Sequence, residues 1–525
     1  MKEIIETYHT NFLFLSIILI PTLLLFQDTL SYYYQKIFYP NRIPIKPLPG
    51  PKGLPIIGNL LSIPSQTPWI KLTEWSREFG PIYRLKLGFT TLVVISSPAI
   101  AIELLEKRSS IYSSRPRHIM TSEHVSHGLR MTFMPYNDLW RRERKLLNQL
   151  TQPRVASTYE PIQLQESAQL VLDLINHPTQ HHAHALRYAG STVLQIAFNR
   201  RAQNNQDKSI TRMRKCNSQM VRTAVPGSYL VDSIPILNYL PYFLSPWKSY
   251  GSKLFHQTLD LFSDLYSQVD LNGPNCFVKR IEELKHQYGL SKEESIFLAG
   301  AMFGAGSDTT SDFIETFIFI MTLYPETSKK AQIELDEIVG KERLPDFEDQ
   351  EKLIYCQALI REVMRWRTVI PGGLAHMVTE DDIYEGYQIP KGSSILANHW
   401  ALHLDPKTYV NAERFNPNRF IDPNTNRLIG TQWNEKGHHS FGFGRRICPG
   451  IHIAERSVYI TAIRILWSLE FDSSSSTSNL DPNQFSTGFS SHPLDFQTNF
   501  KPRGDWVRKV IEEVVEHHGL GVMEI

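Results

Sequence analysis

The sequence predicts a mainly α-helical protein with small β-sheets, an α+β architecture. Strand-like segments occur early in the chain, IYRLKLG and TTLVVIS, and again late, IYEGYQIP and SSILANHW. A long stretch with helical patterning separates the two groups. The chain has 525 residues, 42% of them hydrophobic, which is enough to bury a large core. No repeat or domain-sized change of composition follows residue 60, so residues 61–525 are predicted to form one domain.

Composition and charge exclude several classes of protein. A net charge of +2 gives no sign of a nucleic-acid-binding protein. The cysteines are far apart and form no C-x-x-C pair, which argues against a zinc site and a disulfide framework. The chain also has no N-x-Ser/Thr sequence. Both observations favour a folded part that faces the cytosol.

The N-terminal segment predicts a membrane anchor within residues 1–35. Residues 12–26, FLFLSIILIPTLLLF, are apolar except for Ser16 and Thr22, and they approach the length of a bilayer only when extended to Leu30. Three tyrosines follow, as in an interfacial aromatic belt, and then Lys36, Arg42, Lys46 and Lys52. This charge distribution places the bulk of the chain in the cytosol. A cleaved signal peptide and a buried helix remain alternatives.

A proline-rich stretch is predicted to link this anchor to the folded domain. It covers residues 36–60 and contains PIKPLPGPKGLPIIGNL. Its prolines fix φ and are incompatible with a regular helix. We therefore predict a stiff spacer.

One long helix in the middle of the chain has an unusual composition. A capping-box pattern, Ser291 with Glu294, predicts its start, and Pro325 predicts its end. It contains Gly300, Gly304 and Gly306, each of which costs about 1 kcal/mol relative to alanine. Two explanations are open: tight packing against other helices, or a face opened for a flat ligand. The polar run Asp308, Thr309 and Thr310 within this apolar helix indicates either a capped kink or an active site.

Two further polar groups have ordinary structural explanations. Glu362 and Arg365 are spaced i, i+3 and can form an ion pair, which in most proteins is a solvated surface pair; Arg414 follows in NAERF. The histidines of QHHAHAL, residues 181, 182 and 184, have no acidic or cysteine partner nearby in sequence. We predict that they belong to a solvated loop.

An isolated cysteine, Cys448, is the strongest candidate functional residue. It lies in FGFGRRICPG, where glycines allow a tight turn and Pro449-Gly450 precede an apolar helix. The positive end of a helix dipole and the neighbouring Arg446 are expected to favour the thiolate. A nucleophile would need a nearby base, and His438 and His439 are predicted to be solvated. A single thiolate ligand to a large cofactor therefore fits better.

The stretch FGFGRRICPG resembles the haem-binding loop of the cytochrome P450 haem-thiolate monooxygenases, F-x-x-G-x-R-x-C-x-G. The fixed places of that pattern are filled by Phe441, Gly444, Arg446, Cys448 and Gly450. AGSDTT resembles the family's oxygen-activation motif, and this implies catalytic roles for Asp308 and Thr309.

Other motifs extend the resemblance. Glu362 and Arg365 match the family's E-x-x-R pair, which Arg414 is expected to join; Ala412 departs from the proline usual before Glu-Arg-Phe. The resemblance also implies two sets of residues. Contacts to the haem propionates are expected from Trp140, Arg144 and His376. The substrate pocket is expected to contain Phe303, Ala305, Val369, Leu374 and Phe489.

The resemblance implies a cytochrome P450 fold with one N-terminal anchor helix, and haem b with Cys448 as axial ligand. It implies oxidation of an apolar small molecule with O2 and two electrons from NADPH-cytochrome P450 reductase, with cytochrome b5 as a second candidate donor; the chain itself has no complete G-x-G-x-x-G. The layout resembles fungal enzymes of secondary metabolism that are bound to the endoplasmic reticulum membrane. A haem-thiolate isomerase or dehydratase and a haem sensor are the alternatives.

Overall fold

The computed structural model describes residues 46–225, 227–430, 436–471 and 480–517. The predicted anchor, including the apolar residues 12–26, lies outside these ranges. Within them, no helix combines the length and the apolar character needed to cross a bilayer. The chain divides into two compact units. One contains residues up to Pro116 together with Leu374–Asn398, and we call it the strand unit; the other contains Arg117–Gly373 and His399 onward, and we call it the helical unit.

The strand unit combines one longer helix with two small sheets. The helix is α1 (Pro68–Phe79), and Pro98–Ala101 and Ser109–Tyr112 are short helical segments. The strands are β1 (Lys46–Pro47), β2 (Ile82–Leu87), β3 (Thr90–Ile95), β4 (His376–Met377), β5 (Asp382–Tyr384), β6 (Tyr387–Ile389) and β7 (Ser394–Ala397). The sheet orders are β1-β6-β5 and β2-β3-β7-β4.

Two tight hairpins explain why these segments form strands. Leu87 pairs with Thr90, which leaves a two-residue turn that starts at Gly88 with φ of 59°. Tyr384 pairs with Tyr387 across a turn in which both central residues have positive φ. Such turns match the right-handed twist of antiparallel strands. The predicted early and late strands are confirmed.

The strand unit already includes part of the predicted linker. β1 pairs in parallel with β6, with Lys46 opposite Tyr387. Leu48 is only 2% exposed. Part of the stretch of residues 36–60 is therefore packed into the strand unit.

The helical unit carries the long helices and one two-stranded sheet. The helices are α2 (Asp138–Thr151), α3 (Glu160–Asn176), α4 (His181–Phe198), α5 (Lys208–Ala224), α6 (Pro246–Ser267), α7 (Phe277–Leu284), α8 (Lys292–Leu323), α9 (Pro325–Ile338), α10 (Ile354–Trp366), α11 (Ile451–Ser468) and α12 (Asp505–His517). Short α-helical segments are Pro153–Ala156, Leu230–Ser233 and His399–His403, and the strands are β8 (Leu469–Phe471) and β9 (Phe500–Pro502).

Helix α8 is the central element of the helical unit. Its capping box is formed, since the Glu294 N–H donates to Ser291 Oγ and the Ser291 N–H donates to Glu294 Oε2. The helix ends at Leu323, before Pro325, so its predicted bounds are confirmed. It packs against α4, α6 and α11. Most of its residues are buried, which explains its apolar composition.

The glycines of α8 allow close helix packing. A Cβ on Gly300 would lie 2.2 Å from the Phe262 ring of α6, and one on Gly306 would lie 2.6 Å from Val193 of α4. A Cβ on Gly304 would meet Met213 of α5 at 2.9 Å. The explanation by tight packing is therefore correct, and the alternative that these glycines open a face for a flat ligand is wrong.

The histidines of QHHAHAL are part of α4, so the predicted solvated loop is wrong. His181 is buried, and its Nδ1 lies 3.0 Å from a carboxylate oxygen of Glu315 on α8. His184 is also buried, and its Nε2 lies 3.1 Å from the His177 carbonyl oxygen. Sequence proximity does not show these partners, because Glu315 is distant along the chain.

Candidate functional site

The loop around Cys448 is closed by its own backbone. The Cys448 N–H donates to the Phe441 carbonyl at 2.8 Å. Gly442 and Gly444 have φ of 79° and 55°, a conformation that glycine adopts without strain. Helix α11 then begins directly after Gly450. The cysteine is thus held in a tight loop at the start of a helix, as predicted.

The surroundings of Cys448 act on the pKa of its thiol in both directions. Burial raises the pKa of its thiol, while the Gly450 N–H and the Arg144 guanidinium lower it. The Arg144 guanidinium is a cation that acts on the sulfur. The helix start alone therefore does not make a thiolate, because desolvation of the anion outweighs these contributions. A metal ion supplies the charge that deprotonates a coordinating thiol.

Two arginines and a tryptophan hold α2 against this loop. Arg144 Nη2 donates to the Ile447 carbonyl at 2.6 Å. The Arg446 guanidinium lies 4.2 Å from the ring centre of buried Trp140 and donates to the Met134 carbonyl at 2.8 Å. These contacts bring together Trp140, Arg144, Arg446 and the cysteine loop, which sequence reasoning had assigned to one site.

His438 and His439 are buried, which corrects their predicted exposure. The His439 N–H donates to Nε2 of His403 at 2.7 Å, and its ring stacks on Phe443 with centroids 5.1 Å apart. Burial lowers the pKa of His438 to about 3 and that of His439 to about 4. Both rings are therefore neutral packing groups beside the loop at ordinary pH.

The polar run of α8 contains an acid and a hydroxyl in different environments. Burial raises the pKa of Asp308 to about 6, although Asn217 of α5 donates to its Oδ2 at 2.9 Å. Thr309 Oγ1 donates to the Ala305 carbonyl at 2.8 Å. Ala305 is exposed in the middle of an otherwise buried helix, and Thr309 lies one turn further along the same face.

A second acid follows Asp308 on that helix. Asp312, four residues on, is buried, and its Oδ1 lies 3.2 Å from Nδ1 of His492. The paired carboxylate raises the pKa of His492. The negative charge of Asp312 also contributes to the raised pKa of Asp308. This pair is not predictable from local sequence, because His492 is far from Asp312 along the chain.

Glu362 and Arg365, the E-x-x-R pair, are buried, and the arginine that joins them is not the predicted Arg414. Arg365 donates to both carboxylate oxygens of Glu362, at 2.7 and 2.8 Å. Arg419 Nε donates to Glu362 Oε1 at 3.1 Å, whereas the side chain of Arg414 is exposed. The prediction of Arg414 is therefore wrong. A signal was present: PNRF, residues 417–420, has the proline that NAERF lacks.

The predicted substrate-pocket residues differ in exposure. Ala305 is exposed, whereas Phe303 is fully buried and packs edge-on against Phe198 with centroids 6.3 Å apart. A side chain with no accessible surface does not line an open space, so the prediction for Phe303 is wrong. Val369 and Phe489 are half-buried.

Two of the predicted residues belong to the strand unit. Leu374 there is half-buried, and its carbonyl accepts from Arg115 at 3.2 Å. Buried His376 has its Nδ1 2.9 Å from the Tyr112 carbonyl oxygen. Their predicted roles in the pocket and at the haem stay predictions.

The helical unit fits a flat iron porphyrin. The sulfur of Cys448 is a soft donor, and the residue keeps some exposed surface. A Cβ built on Gly442 would meet no heavy atom within 4 Å, and one on Gly450 would meet only Cys448 Sγ, at 3.9 Å. The exposed Ala305 adds open space along α8. Donor chemistry and open space are thus both present.

Comparisons with known proteins agree with this site. The family model named Cytochrome P450 matches residues 48–500. The chain is 37% identical to Cytochrome P450 monooxygenase 58 of Postia placenta, over 81% of this chain and 82% of that protein. It is 34% identical to a cytochrome P450 monooxygenase of Armillaria gallica, over 89% and 92% of the two chains, and 36% identical to the monooxygenase drtD of Aspergillus calidoustus, over 80% and 78%.

Proposed function

The chain belongs to the cytochrome P450 family of haem-thiolate monooxygenases, and on that basis we propose that it oxidises an apolar small molecule with O2 and two electrons from NADPH. The cofactor of this family is haem b with a cysteine ligand. The observation that carries the proposal is the closed loop that presents Cys448 at the start of α11, together with the acid and hydroxyl on α8.

Cys448 is the residue that would bind the haem iron, through its sulfur. The bound haem supplies the iron chemistry that cleaves the O–O bond, and electron donation from a thiolate favours that cleavage. Trp140, Arg144, Arg446 and His376 are the proposed partners of the propionates, and Phe441 is expected beside the porphyrin. Glu362, Arg365 and Arg419 are proposed as structural residues that hold α10 to the segment before the loop.

Thr309 and Asp308 are the proposed catalytic residues. The hydroxyl of Thr309 donates to its own helix and can turn to donate to a ligand on the exposed face beside Ala305. A pKa near 6 lets Asp308 gain and lose protons at neutral pH, which suits a group that supplies them. This acid–hydroxyl pair favours a monooxygenase over an isomerase, a dehydratase or a haem sensor, none of which needs such a supply.

Thr309→Ala tests this proposal. The variant should bind haem and consume NADPH with a generic reductase, but it should release much of the flux as hydrogen peroxide instead of product. Thr309→Ser keeps the hydroxyl and serves as the matched control. Parallel measurements of NADPH, O2 and peroxide check the prediction. Wild-type coupling in Thr309→Ala would assign Thr309 a structural role only.

We propose that the protein acts at the endoplasmic reticulum membrane with its catalytic domain in the cytosol. Residues 1–35 are the proposed anchor, followed by the proline-rich linker and the catalytic domain. A separate NADPH-cytochrome P450 reductase, with cytochrome b5 as a second donor, is the proposed electron source. A surface segment of the helical unit supports membrane contact, because Ile236, Tyr239 and Phe243 are 73%, 85% and 82% exposed.

We also propose a role in fungal secondary-metabolite biosynthesis. The relatives reported above are monooxygenases of fungi, and they span most of this chain. Supplying the purified protein with candidate terpenoids, polyketides and alkaloids, and identifying oxidised products by mass spectrometry, tests this proposal.

A further inference from the structure

Arg130 is a buried arginine in the loop that precedes α2. Its residue is 7% exposed, and burial lowers the pKa of its guanidinium to about 10. At neutral pH the group therefore carries a full positive charge inside the helical unit. Buried charges in proteins are normally paired or hydrogen-bonded, because desolvation of a lone ion is costly.

The other buried arginines follow this rule. Arg187 binds the carboxylates of Glu166 and Asp173, and Arg367 and Arg464 donate to backbone carbonyls. Arg130, in contrast, makes no side-chain hydrogen bond or ion pair with any residue within 46–225, 227–430, 436–471 or 480–517.

The titratable neighbour that acts on Arg130 cannot balance its charge. This neighbour is the thiol of Cys216 on α5. Burial raises the pKa of that thiol, so it is protonated and neutral at neutral pH. No carboxylate in the described part of the chain compensates the guanidinium. An anion from outside the chain would do so.

Arg130 stands near the active-site end of α5, in apolar surroundings. Its neighbour Cys216 is followed by Asn217, which donates to the catalytic Asp308. Cys216 belongs to an apolar cluster that includes Met131, Met213 and Phe255. A ligand that reaches this arginine therefore meets mainly hydrocarbon and sulfur atoms around one positive charge.

The backbone holds Arg130 in place. The Phe133 N–H donates to the Arg130 carbonyl at 3.0 Å. Arg446 donates to the carbonyls of Met131 and Met134, at 3.3 and 2.8 Å. These contacts fix the backbone from which the Arg130 side chain extends.

We propose that Arg130 binds a carboxylate group of the substrate, so that the natural substrate is an amphiphile with an apolar body and one carboxylate. This inference rests on the proposed oxidation of a small molecule. A single guanidinium balances the charge of one carboxylate and can donate two parallel hydrogen bonds to its two oxygens. A phosphate dianion carries two charges and would need more than one cation.

A haem propionate is the other source of the same chemistry. The position of Arg130 argues for the substrate, because its neighbour Cys216 lies on α5 next to Asn217, which donates to Asp308. The cations of the cysteine loop are instead Arg446, which belongs to it, and Arg144, which donates to its Ile447 carbonyl. The two sources predict different outcomes for the same variant.

The test uses the full-length holoenzyme with dodecanoic acid and its methyl ester as probes. Binding is measured as the haem spin-state shift and as the increase in thermal unfolding temperature. In the wild type the acid should bind more tightly than the ester. Arg130→Met should weaken acid binding by about ten- to a hundredfold, the range for losing a charge-assisted hydrogen bond, with little change for the ester. Arg130→Lys should retain part of the preference.

The matched control is Arg212→Met, an arginine on α5 that is exposed and paired with Asp264. It should leave both affinities unchanged. Equal affinity of the wild type for acid and ester, or an unchanged preference in Arg130→Met, would overturn the proposal. Loss of haem from Arg130→Met and Arg130→Lys would assign the arginine to a propionate instead and also overturn it. A wild-type protein without bound haem would refute the proposed function itself.

Discussion

Arg419 provides a sharp test of the corrected ion-pair network. Its Nε donates to Glu362 Oε1 at 3.1 Å, and its Nη atoms donate to the carbonyls of Val410 and Arg414 at 3.0 and 2.9 Å. Glu362 is fully buried, so its negative charge depends on these donors and on Arg365. Arg419→Met removes the guanidinium and its hydrogen bonds but keeps an unbranched apolar side chain.

The expected cost is about 3 kcal/mol, the low end of the range for removing one partner of a buried ion pair, because the Arg419 side chain is 10% exposed. Arg414→Met is the matched control and should cost less than about 0.5 kcal/mol, as is usual for a surface position. Thermal unfolding and haem content of the purified proteins measure the difference. Equal losses in both variants, or a larger loss in Arg414→Met, would refute the reasoning.

Two other regions of the helical unit also give testable predictions. Glu143 is buried with both carboxylate oxygens unpartnered among the described residues, and burial raises its pKa from 4.5 to about 8. Because the unfolded state loses this proton at lower pH, the free energy of unfolding falls between pH 4.5 and 8. Glu143→Gln should therefore gain up to about 5 kcal/mol over the wild type across that window and none below it, since one pKa unit corresponds to about 1.4 kcal/mol. A stability difference that does not vary with pH would contradict the argument. The second test uses a chain that lacks residues 1–35. Replacing Ile236, Tyr239 and Phe243 by serine in that chain should weaken its binding to liposomes in a flotation assay and leave its haem content unchanged. Undiminished flotation of the triple variant would exclude this segment as a membrane contact.

Local chemistry made the bounds of α8 and of the strands predictable. A capping box and a following proline fix the ends of a helix through nearby atoms. Two-residue turns likewise depend only on their own φ angles and flanking strands. The cysteine loop was recognisable for the same reason, since its closing hydrogen bond joins Phe441 to Cys448.

Features that depend on distant partners were not predictable in this way. The burial of His181 depends on Glu315, and the acid network of α8 depends on His492. The desolvation of Cys448 was not predicted, because the helix dipole and neighbouring cations are visible in sequence, whereas desolvation is a property of the packed structure. Arg414 was predicted without considering Arg419; both precede a phenylalanine, and the proline of PNRF is the sequence signal that distinguishes them.

The central claim is that Cys448 is the thiolate ligand of haem, and the reduced carbon monoxide spectrum tests it most directly. The wild type should show the red-shifted Soret band that marks thiolate ligation. Cys448→Ala should lose that band, whereas Cys216→Ala, Cys276→Ala and Cys356→Ala, which remove the other free cysteines of the chain, should keep it. A red-shifted band that survives in Cys448→Ala would contradict the account.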